Sequence, residues 1–234
     1  ERWFYTADLP LVGWDVAKHR MAESFQEILR RYFHDEEKTF VPGRFQPSAA
    51  EDVQAVKEML AAACAGRAPG RKRIAFCFQT TMQYRDWPVE KFSALADRLA
   101  ETYGADIVLT GIASHQARGA QIVAGMKHPE AVLDFIGKTS FLQLIALFRE
   151  VDALVSLDTG SAHIAAAAGC PVVTIFTFNS PEVYGAAVEP SRAVCLHVPC
   201  SGKAVCRRPG ECRNSFCLDG ITVEQVFQAA TEIL

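Results

Sequence analysis

From Arg73 onward, the sequence alternates between short apolar segments and longer segments whose apolar residues have helical spacing. A short continuous apolar run is typical of a strand buried on both faces, whereas apolar residues three and four positions apart indicate an amphipathic helix. Strands that alternate with helices need right-handed crossovers, so they lie parallel and helices cover both faces of the sheet. The pattern predicts an α/β fold with a Rossmann-like, doubly wound parallel sheet. Its five strands are expected within 74–78, 107–109, 132–136, 153–157 and 172–176.

Capping residues set the bounds of the predicted helices. Pro88 is tolerated in the first turn of a helix that Gly104 ends. Ser140 can cap a later helix, and Thr222 with Gln225 makes a capping box for the last one. The remaining helices are expected over 49–63, 114–126 and 161–168.

The first 48 residues are organised differently. One amphipathic helical segment and a short extended stretch over 38–41 cannot form a core of their own. We therefore interpret 1–48 as the tail of a preceding domain, 49–72 as a linker helix with a basic turn, and 73–234 as the main domain. Because the chain opens at Glu1 with no export segment, we expect a longer protein upstream and a cytoplasmic location.

Charge and hydropathy argue against a nucleic-acid-binding protein and against a membrane-spanning segment. The net charge is -3 and basic residues are scattered, which argues against nucleic-acid binding. The longest apolar stretch, over 164–176, is interrupted by Gly169 and Pro171. It is shorter than the roughly 20 apolar residues that cross a bilayer.

Sheets of this type bind ligands beyond the carboxyl ends of their strands. There, Asp158, Thr159, Gly160 and Ser161 lead from a strand into an Ala-rich helix whose first turn contains His163. A helix start offers unpaired N–H groups and a positive dipole end, which suits a pyrophosphate. Gly160 permits close approach of a ligand, and the hydroxyls and His163 can donate hydrogen bonds to it.

Asp158 would repel a pyrophosphate, so we expect it to face sugar hydroxyls, cap the helix, or do both. Helix caps beside a surface histidine explain this loop equally well from local chemistry. A second loop at the same edge carries Thr80, Thr81 and Arg85, whose guanidinium can hold phosphate with a forked pair of hydrogen bonds. The alternative there is an ordinary surface loop.

The eight cysteines are unevenly placed. Cys64, Cys77 and Cys170 lie singly in apolar surroundings, where a free thiol behaves as a small hydrophobe. The other five fall within 195–217, which indicates a local device rather than a disulfide scaffold. A set of four thiolates could enclose zinc or iron, with free thiols or adventitious disulfides as the alternatives. The four thiolates are those of Cys200, Cys206, Cys212 and Cys217, and Cys195 would not be a metal ligand.

Three segments, GKTSF at 137–141, LDTGSAHIAAA at 157–167 and GCPVV at 169–173, resemble the donor domain of the ADP-heptose:lipopolysaccharide heptosyltransferases, glycosyltransferase family 9. Arg85-Asp86-Trp87-Pro88 is similar to that family's Lys-x-Trp-Pro segment. The resemblance covers 70–234 well, and 1–48 loosely as the end of the acceptor domain.

The resemblance implies the C-terminal half of a GT-B glycosyltransferase. Such an enzyme transfers a heptose or related sugar, with inversion, from a nucleotide-diphosphate sugar such as ADP-heptose to a glycan or protein acceptor. It implies that Thr80, Thr81 and Arg85 contact the donor phosphates and nearby sugar. Sugar and pyrophosphate would be held by Asp158, Thr159, Gly160 and His163. The family's catalytic Asp lies near the start of the acceptor domain, so we expect no catalytic base in this chain and little turnover by it alone.

Several residues depart from the family pattern. Arg85 replaces the usual Lys, His115 stands where a Glu commonly meets the nucleoside, and Thr177 and Phe178 replace a Phe-Gly turn. The implied setting is bacterial, cytoplasmic and at the inner face of the inner membrane, with any peripheral membrane contact made by the missing half.

Catalysis of this kind requires no cofactor, and a structural zinc or iron at the cysteine-rich loop 195–217 would be the one metal. Relatives that glycosylate autotransporter proteins carry an iron-binding cysteine finger, which this loop resembles in general plan. The alternative interpretation is a non-catalytic nucleotide-binding or assembly module, with the cysteine loop as an interaction surface.

Overall fold

The computed structural model describes residues 27, 49–81, 86–177, 181–186, 191–195 and 220–234, with the side chains of 191–195 outside that description. The strands are β1 (Arg73–Cys77), β2 (Asp106–Thr110), β3 (Val132–Asp134), β4 (Ala153–Leu157), β5 (Val172–Phe176) and β6 (Ser191–Cys195). The helices are α1 (Ala50–Ala63), α2 (Val89–Tyr103), α3 (Gln116–Ala124), α4 (Phe141–Arg149), α5 (Gly160–Ala168), α6 (Pro181–Tyr184) and α7 (Val223–Thr231).

The strands form one parallel sheet in the order β3-β2-β1-β4-β5-β6. Chain progress reverses at β1, because β2 and β3 lie on one side of it and β4 to β6 on the other. In a doubly wound sheet, this reversal opens a crevice at the carboxyl ends of the two central strands. The predicted doubly wound parallel sheet is confirmed.

Apolar side chains fill a core on each face of the sheet. Helices α2, α3 and α7 contribute to the first, where Phe92, Leu99 and Ile122 are fully buried. Helices α1, α4 and α5 contribute to the second, which includes Val56 and Phe148. This two-sided burial explains why the central strands are apolar throughout.

The predicted helix signals agree with the structure at three helix ends. Gly104 follows α2 with φ 60°, the left-handed conformation that glycine adopts without strain. Ser140 forms a capping box with Gln143 at the start of α4. Thr222 and Gln225 form the same motif at α7.

Some element bounds differ from the prediction. The predicted helix over 114–126 begins as a 3-10 turn, Ala113–His115, before α3. β3 ends at Asp134, whose carboxylate accepts the Ile136 N–H at 2.9 Å. A sixth strand, β6, extends the sheet beside β5. Its Ser-Arg-Ala-Val-Cys sequence is not a continuous apolar run, so the pattern did not predict it. The helical segment and extended stretch predicted within 1–48 lie outside the described residues.

The amino-terminal edge of the sheet is held by a buried charge cluster. Asp106 is 2% exposed, and its Oδ1 accepts hydrogen bonds from Arg67 Nη1 at 2.6 Å and Arg71 Nε at 2.7 Å. The same arginines donate to the Val132 and Ala105 carbonyls. The predicted basic turn is therefore an anchor between α1 and the sheet. Across the described portion of the chain, no helix is long and apolar enough to cross a bilayer.

Candidate functional site

The two predicted ligand loops leave the carboxyl ends of neighbouring strands. Cys77, the last residue of β1, pairs in register with Ser156 of β4. Beyond this pair, Cys77 Sγ lies 3.8 Å from Thr159 Oγ1, and Ser156 Oγ lies 3.3 Å from the same oxygen. Both loops therefore begin at the crevice that the reversal of strand order creates, and Thr159 contacts the ends of both strands.

Helix α5 begins in this crevice. Its N-cap is Thr159, with extended φ −142° and ψ 167°, rather than Asp158. The Thr159 hydroxyl accepts no hydrogen bond from the helix N-terminus and turns instead toward Ser156. Asp158 is half-buried and its backbone N–H donates to the Ile175 carbonyl at 3.2 Å. Ser161 is half-buried and His163 is exposed on the first turns of α5.

Gly160 leaves an opening beside the start of α5. A Cβ placed on Gly160 would have no heavy atom within 4 Å, and the residue is absent from the positive-φ glycines of the described chain. Neither packing nor backbone conformation therefore requires glycine here. The open space is what a ligand close to the helix N-terminus would use.

The β1 loop places its two threonines differently. Thr80 is buried, and Asp86 accepts hydrogen bonds from its backbone N–H, at 2.8 Å to Oδ1, and from its side chain. Thr81 is exposed. Arg85 lies outside the described residues, so its phosphate contact stays a prediction.

An arginine that was not singled out from the sequence holds this loop. Arg118 of α3 donates from Nε to the Phe78 carbonyl at 3.2 Å and from Nη2 to the Trp87 carbonyl at 2.7 Å. Its Nε also lies 3.8 Å from Asp86 Oδ2. The two carbonyls lie 40 and 31 residues from Arg118 in the sequence. Any residue type can supply a backbone carbonyl, so no sequence motif predicts these two contacts.

Burial shapes the electrostatics beneath the loop. It raises the pKa of the Asp86 carboxyl above its ordinary value, against the Thr80 hydrogen bonds and the Arg118 charge. Burial likewise lowers the pKa of His115, against the attraction of Asp86. Within the described residues, Gln79 Oε1, Asp86 Oδ2 and His115 Nδ1 are buried without a hydrogen-bond partner.

The described cysteines behave as isolated thiols. Cys64, Cys77 and Cys170 are free, and burial raises the pKa of Cys170 to about 12. No group of three His, Cys, Asp or Glu side chains within the described segments is placed to hold a metal. Cys195 ends β6. The predicted ligands Cys200, Cys206, Cys212 and Cys217 lie outside the description.

A parallel sheet whose strand order reverses between β1 and β4, with two polar loops and a helix start at that point, defines a doubly wound α/β domain. The sequence profile of Glycosyltransferase family 9 (heptosyltransferase) matches residues 11–212. The chain therefore belongs to glycosyltransferase family 9.

Individual relatives agree with this assignment. Lipopolysaccharide heptosyltransferase 1 of Pseudomonas aeruginosa is 30% identical over 118 residues, which is 50% of this chain and 32% of the relative. The fold matches the crystal structure of a glycosyl transferase family 9 protein from Veillonella parvula with a TM-score of 0.79 at 20% identity, covering 94% of this chain and 61% of that one. The chain spans less than two thirds of the length of each relative.

Two further solved structures share the fold. E. coli ADP-heptose lps heptosyltransferase II gives a TM-score of 0.66 at 20% identity and covers 84% of this chain and 54% of that one. The iron-containing dodecameric heptosyltransferase TibC was solved with ADP-D-beta-D-heptose. It gives a TM-score of 0.53 at 19% identity and covers 73% of this chain and 47% of that one. The fold is accordingly that of a Rossmann-like domain of the GT-B glycosyltransferases.

Proposed function

We propose that this chain is the donor-binding region of a heptosyltransferase acting in lipopolysaccharide biosynthesis. The observation that carries the proposal is that the Thr80–Thr81 loop and the start of α5 follow the ends of neighbouring strands at one crevice, beside the open space at Gly160. A diphosphate lying there would meet N–H groups, hydroxyls and the positive end of a helix dipole. Lipopolysaccharide and ADP-heptose in the names of relatives favour ADP-heptose as the donor.

The reaction would be a single inverting displacement at the anomeric carbon. The acceptor hydroxyl loses its proton to an Asp outside this sequence, and its oxygen attacks the anomeric carbon of the heptose. The bond from that carbon to the diphosphate oxygen breaks, and ADP departs. Arg85, the N-terminus of α5 and His163 stabilise the charge on the departing diphosphate, so no metal is assigned to this step.

The proposed division of labour follows the chain. Residues 73–234 bind the donor, 49–72 link the two halves, and 1–48 end an acceptor domain that supplies the base. Coverage of 54% to 61% of the solved relatives is consistent with one of two halves. By itself, this region would bind donor but turn over poorly, and its setting would be the cytoplasmic face of a bacterial inner membrane.

Calorimetry with ADP-heptose, ADP and UDP-sugars tests the proposal. We expect ADP-heptose to bind, and UDP-sugars to bind more weakly or not at all. Asp158→Ala should weaken the binding of ADP-heptose by about tenfold, or ~1.4 kcal/mol, because the side chain would contact the sugar. The binding of ADP, which has no heptose, should weaken much less. Asp152→Ala is the matched control, since Asp152 lies beside the opposite end of the same strand, where it accepts the Arg73 N–H.

Two results would count against the proposal. An unchanged ADP-heptose affinity in Asp158→Ala would remove the sugar contact from Asp158. Failure of every nucleotide to bind at millimolar concentration to folded protein would instead favour a non-catalytic assembly module.

We also propose that Cys200, Cys206, Cys212 and Cys217 hold a structural zinc or iron. The support is the chemistry of four thiolates close in sequence, together with the iron of TibC. Metal analysis of protein purified without added metal should give about one equivalent, and Cys206→Ser should lose it whereas Cys64→Ser should keep it. Well under one equivalent of zinc plus iron would refute the site.

A further inference from the structure

We infer that Arg118 is a positioning residue for donor binding. Its guanidinium holds the two ends of the loop between β1 and α2 and thereby fixes the loop backbone at Thr80 and Thr81, beside the proposed diphosphate site. This inference rests on the proposed function, because the loop matters for donor binding if the diphosphate lies in the crevice. Arg118 is itself on α3, outside both loops.

The contacts of Arg118 reach both ends of the loop. Phe78 immediately follows β1, and Trp87 lies two residues before α2. One planar guanidinium donates to the carbonyls of both residues, at 3.2 and 2.7 Å. A guanidinium presents its donors in a fixed fork, so bonding both acceptors fixes the orientation of the Phe78 and Trp87 carbonyls relative to each other.

Asp86 extends this control to the threonines. Its Oδ1 accepts the Thr80 N–H at 2.8 Å, while its Oδ2 lies 3.8 Å from Arg118 Nε. The side chain of Asp86 is 2% exposed, and that of Arg118 is 22% exposed. Arg118 is therefore the nearby positive charge that allows a buried carboxylate to hold Thr80 in place.

The core already anchors both loop ends without Arg118. Phe78 and Trp87 are fully buried in the same core cluster. The Trp87 indole N–H also donates to the Ile221 carbonyl at 2.9 Å. Removal of Arg118 should thus leave the fold in place and change mainly the conformation of the loop between these anchors.

The test compares Arg118→Gln and Arg118→Lys with Arg67→Gln in the whole chain. Arg67 is the matched control because its side chain is also 22% exposed and also bonds an aspartate and a backbone carbonyl, but at the opposite edge of the sheet. Three quantities are measured for each variant: the ADP dissociation constant by calorimetry, hydrogen exchange at the Thr80 amide, and the melting temperature.

Arg118→Gln should weaken ADP binding by about tenfold, the loss expected when one charged hydrogen bond is misaligned. It should also speed exchange at the Thr80 amide. Arg118→Lys keeps the charge but has one point donor for two carbonyls, so its ADP affinity should be intermediate. Arg67→Gln should lower the melting temperature and change ADP affinity less than about twofold.

Each other result overturns the inference. Unchanged ADP affinity in folded Arg118→Gln, or an equal loss in Arg67→Gln, would show that Arg118 acts through stability or not at all. An ADP affinity in Arg118→Lys equal to that of the unsubstituted chain would show that the positive charge matters and that the paired hydrogen bonds of the guanidinium do not. If the unsubstituted chain does not bind ADP, the proposed function fails and this inference fails with it.

Discussion

Gly160→Ala should separate ligand binding from stability. The helical position of Gly160 carries no positive-φ requirement, and a Cβ there meets no atom within 4 Å. Alanine at a compatible helical site stabilises a protein by about 0.4–1 kcal/mol, chiefly by restricting the unfolded chain. For a chain of this size, that gain raises the melting temperature by about 1–4 °C.

The same methyl group should weaken nucleotide binding. It would project into the open space beside the N-terminus of α5, where the proposed diphosphate lies within reach of backbone N–H groups. A displacement that costs one charged hydrogen bond reduces ADP affinity by about tenfold, or ~1.4 kcal/mol. The variant is therefore expected to be more stable and to bind less tightly.

Gly104→Ala is the matched control with the opposite expectation. Gly104 has φ 60° and lies between α2 and β2, at the amino-terminal edge of the sheet. Alanine in this conformation costs roughly 1–2 kcal/mol, so the melting temperature should fall while ADP affinity stays the same. Thermal unfolding and calorimetry on both variants give the four values required.

Two outcomes would refute the reasoning about Gly160. A lower melting temperature in Gly160→Ala would mean that the space around the helix start is already occupied in the free protein. A higher melting temperature with unchanged ADP affinity would mean that the diphosphate does not approach this turn.

Three further predictions concern stability. Asp106→Asn removes the buried charge that its two arginines share and should cost about 3 kcal/mol in urea unfolding. Ser140→Ala loses the capping box with Gln143 and should cost about 1 kcal/mol. Hydrogen bonds to Glu130, and then to Glu101, raise the pKa of His128. His128 therefore contributes stability below its unfolded pKa of about 6.5 and loses it as pH rises through the folded pKa, so His128→Gln should lower the melting temperature more at about pH 5.5 than at about pH 8.5.

These predictions fail under distinct results. Loss below about 1 kcal/mol in Asp106→Asn would show that water replaces the arginine contacts. A Ser140→Ala variant as stable as the parent would mean that Gln143 caps α4 alone. A melting-temperature deficit in His128→Gln that grows with pH would reverse the assigned direction of the pKa shift.

The sheet was largely predictable because its central strands are buried on both faces. β4 and β5 have the bounds that their apolar runs predicted, Ala153–Leu157 and Val172–Phe176. β6 was missed because Ser191 and Arg192 interrupt its apolar character, and edge strands tolerate polar residues. A strand can thus be predicted from its sequence where both of its faces are buried, but not at the edge of the sheet, where polar residues are tolerated.

The candidate site was predictable in part for a related reason. A helix start after a strand is a local feature, so the position of Gly160 at the crevice followed from the order of elements. The Arg118 contacts depend on two backbone carbonyls brought near by folding, which no side-chain pattern records. The choice of Thr159 over Asp158 as N-cap depends on one pair of dihedral angles, a detail below the resolution of sequence patterns.

The reversal of strand order divides the sheet into two sets of three strands. One contains β1 to β3 with the Thr80 loop, and the other contains β4 to β6 with the Asp158 loop. The β1–β4 ladder and contacts such as Cys77 with Thr159 join them along a seam. A ligand that touches both loops would bridge this seam as a non-covalent cross-link. Loading with donor would then tighten the cohesion of the domain itself, and release of the nucleotide would loosen it.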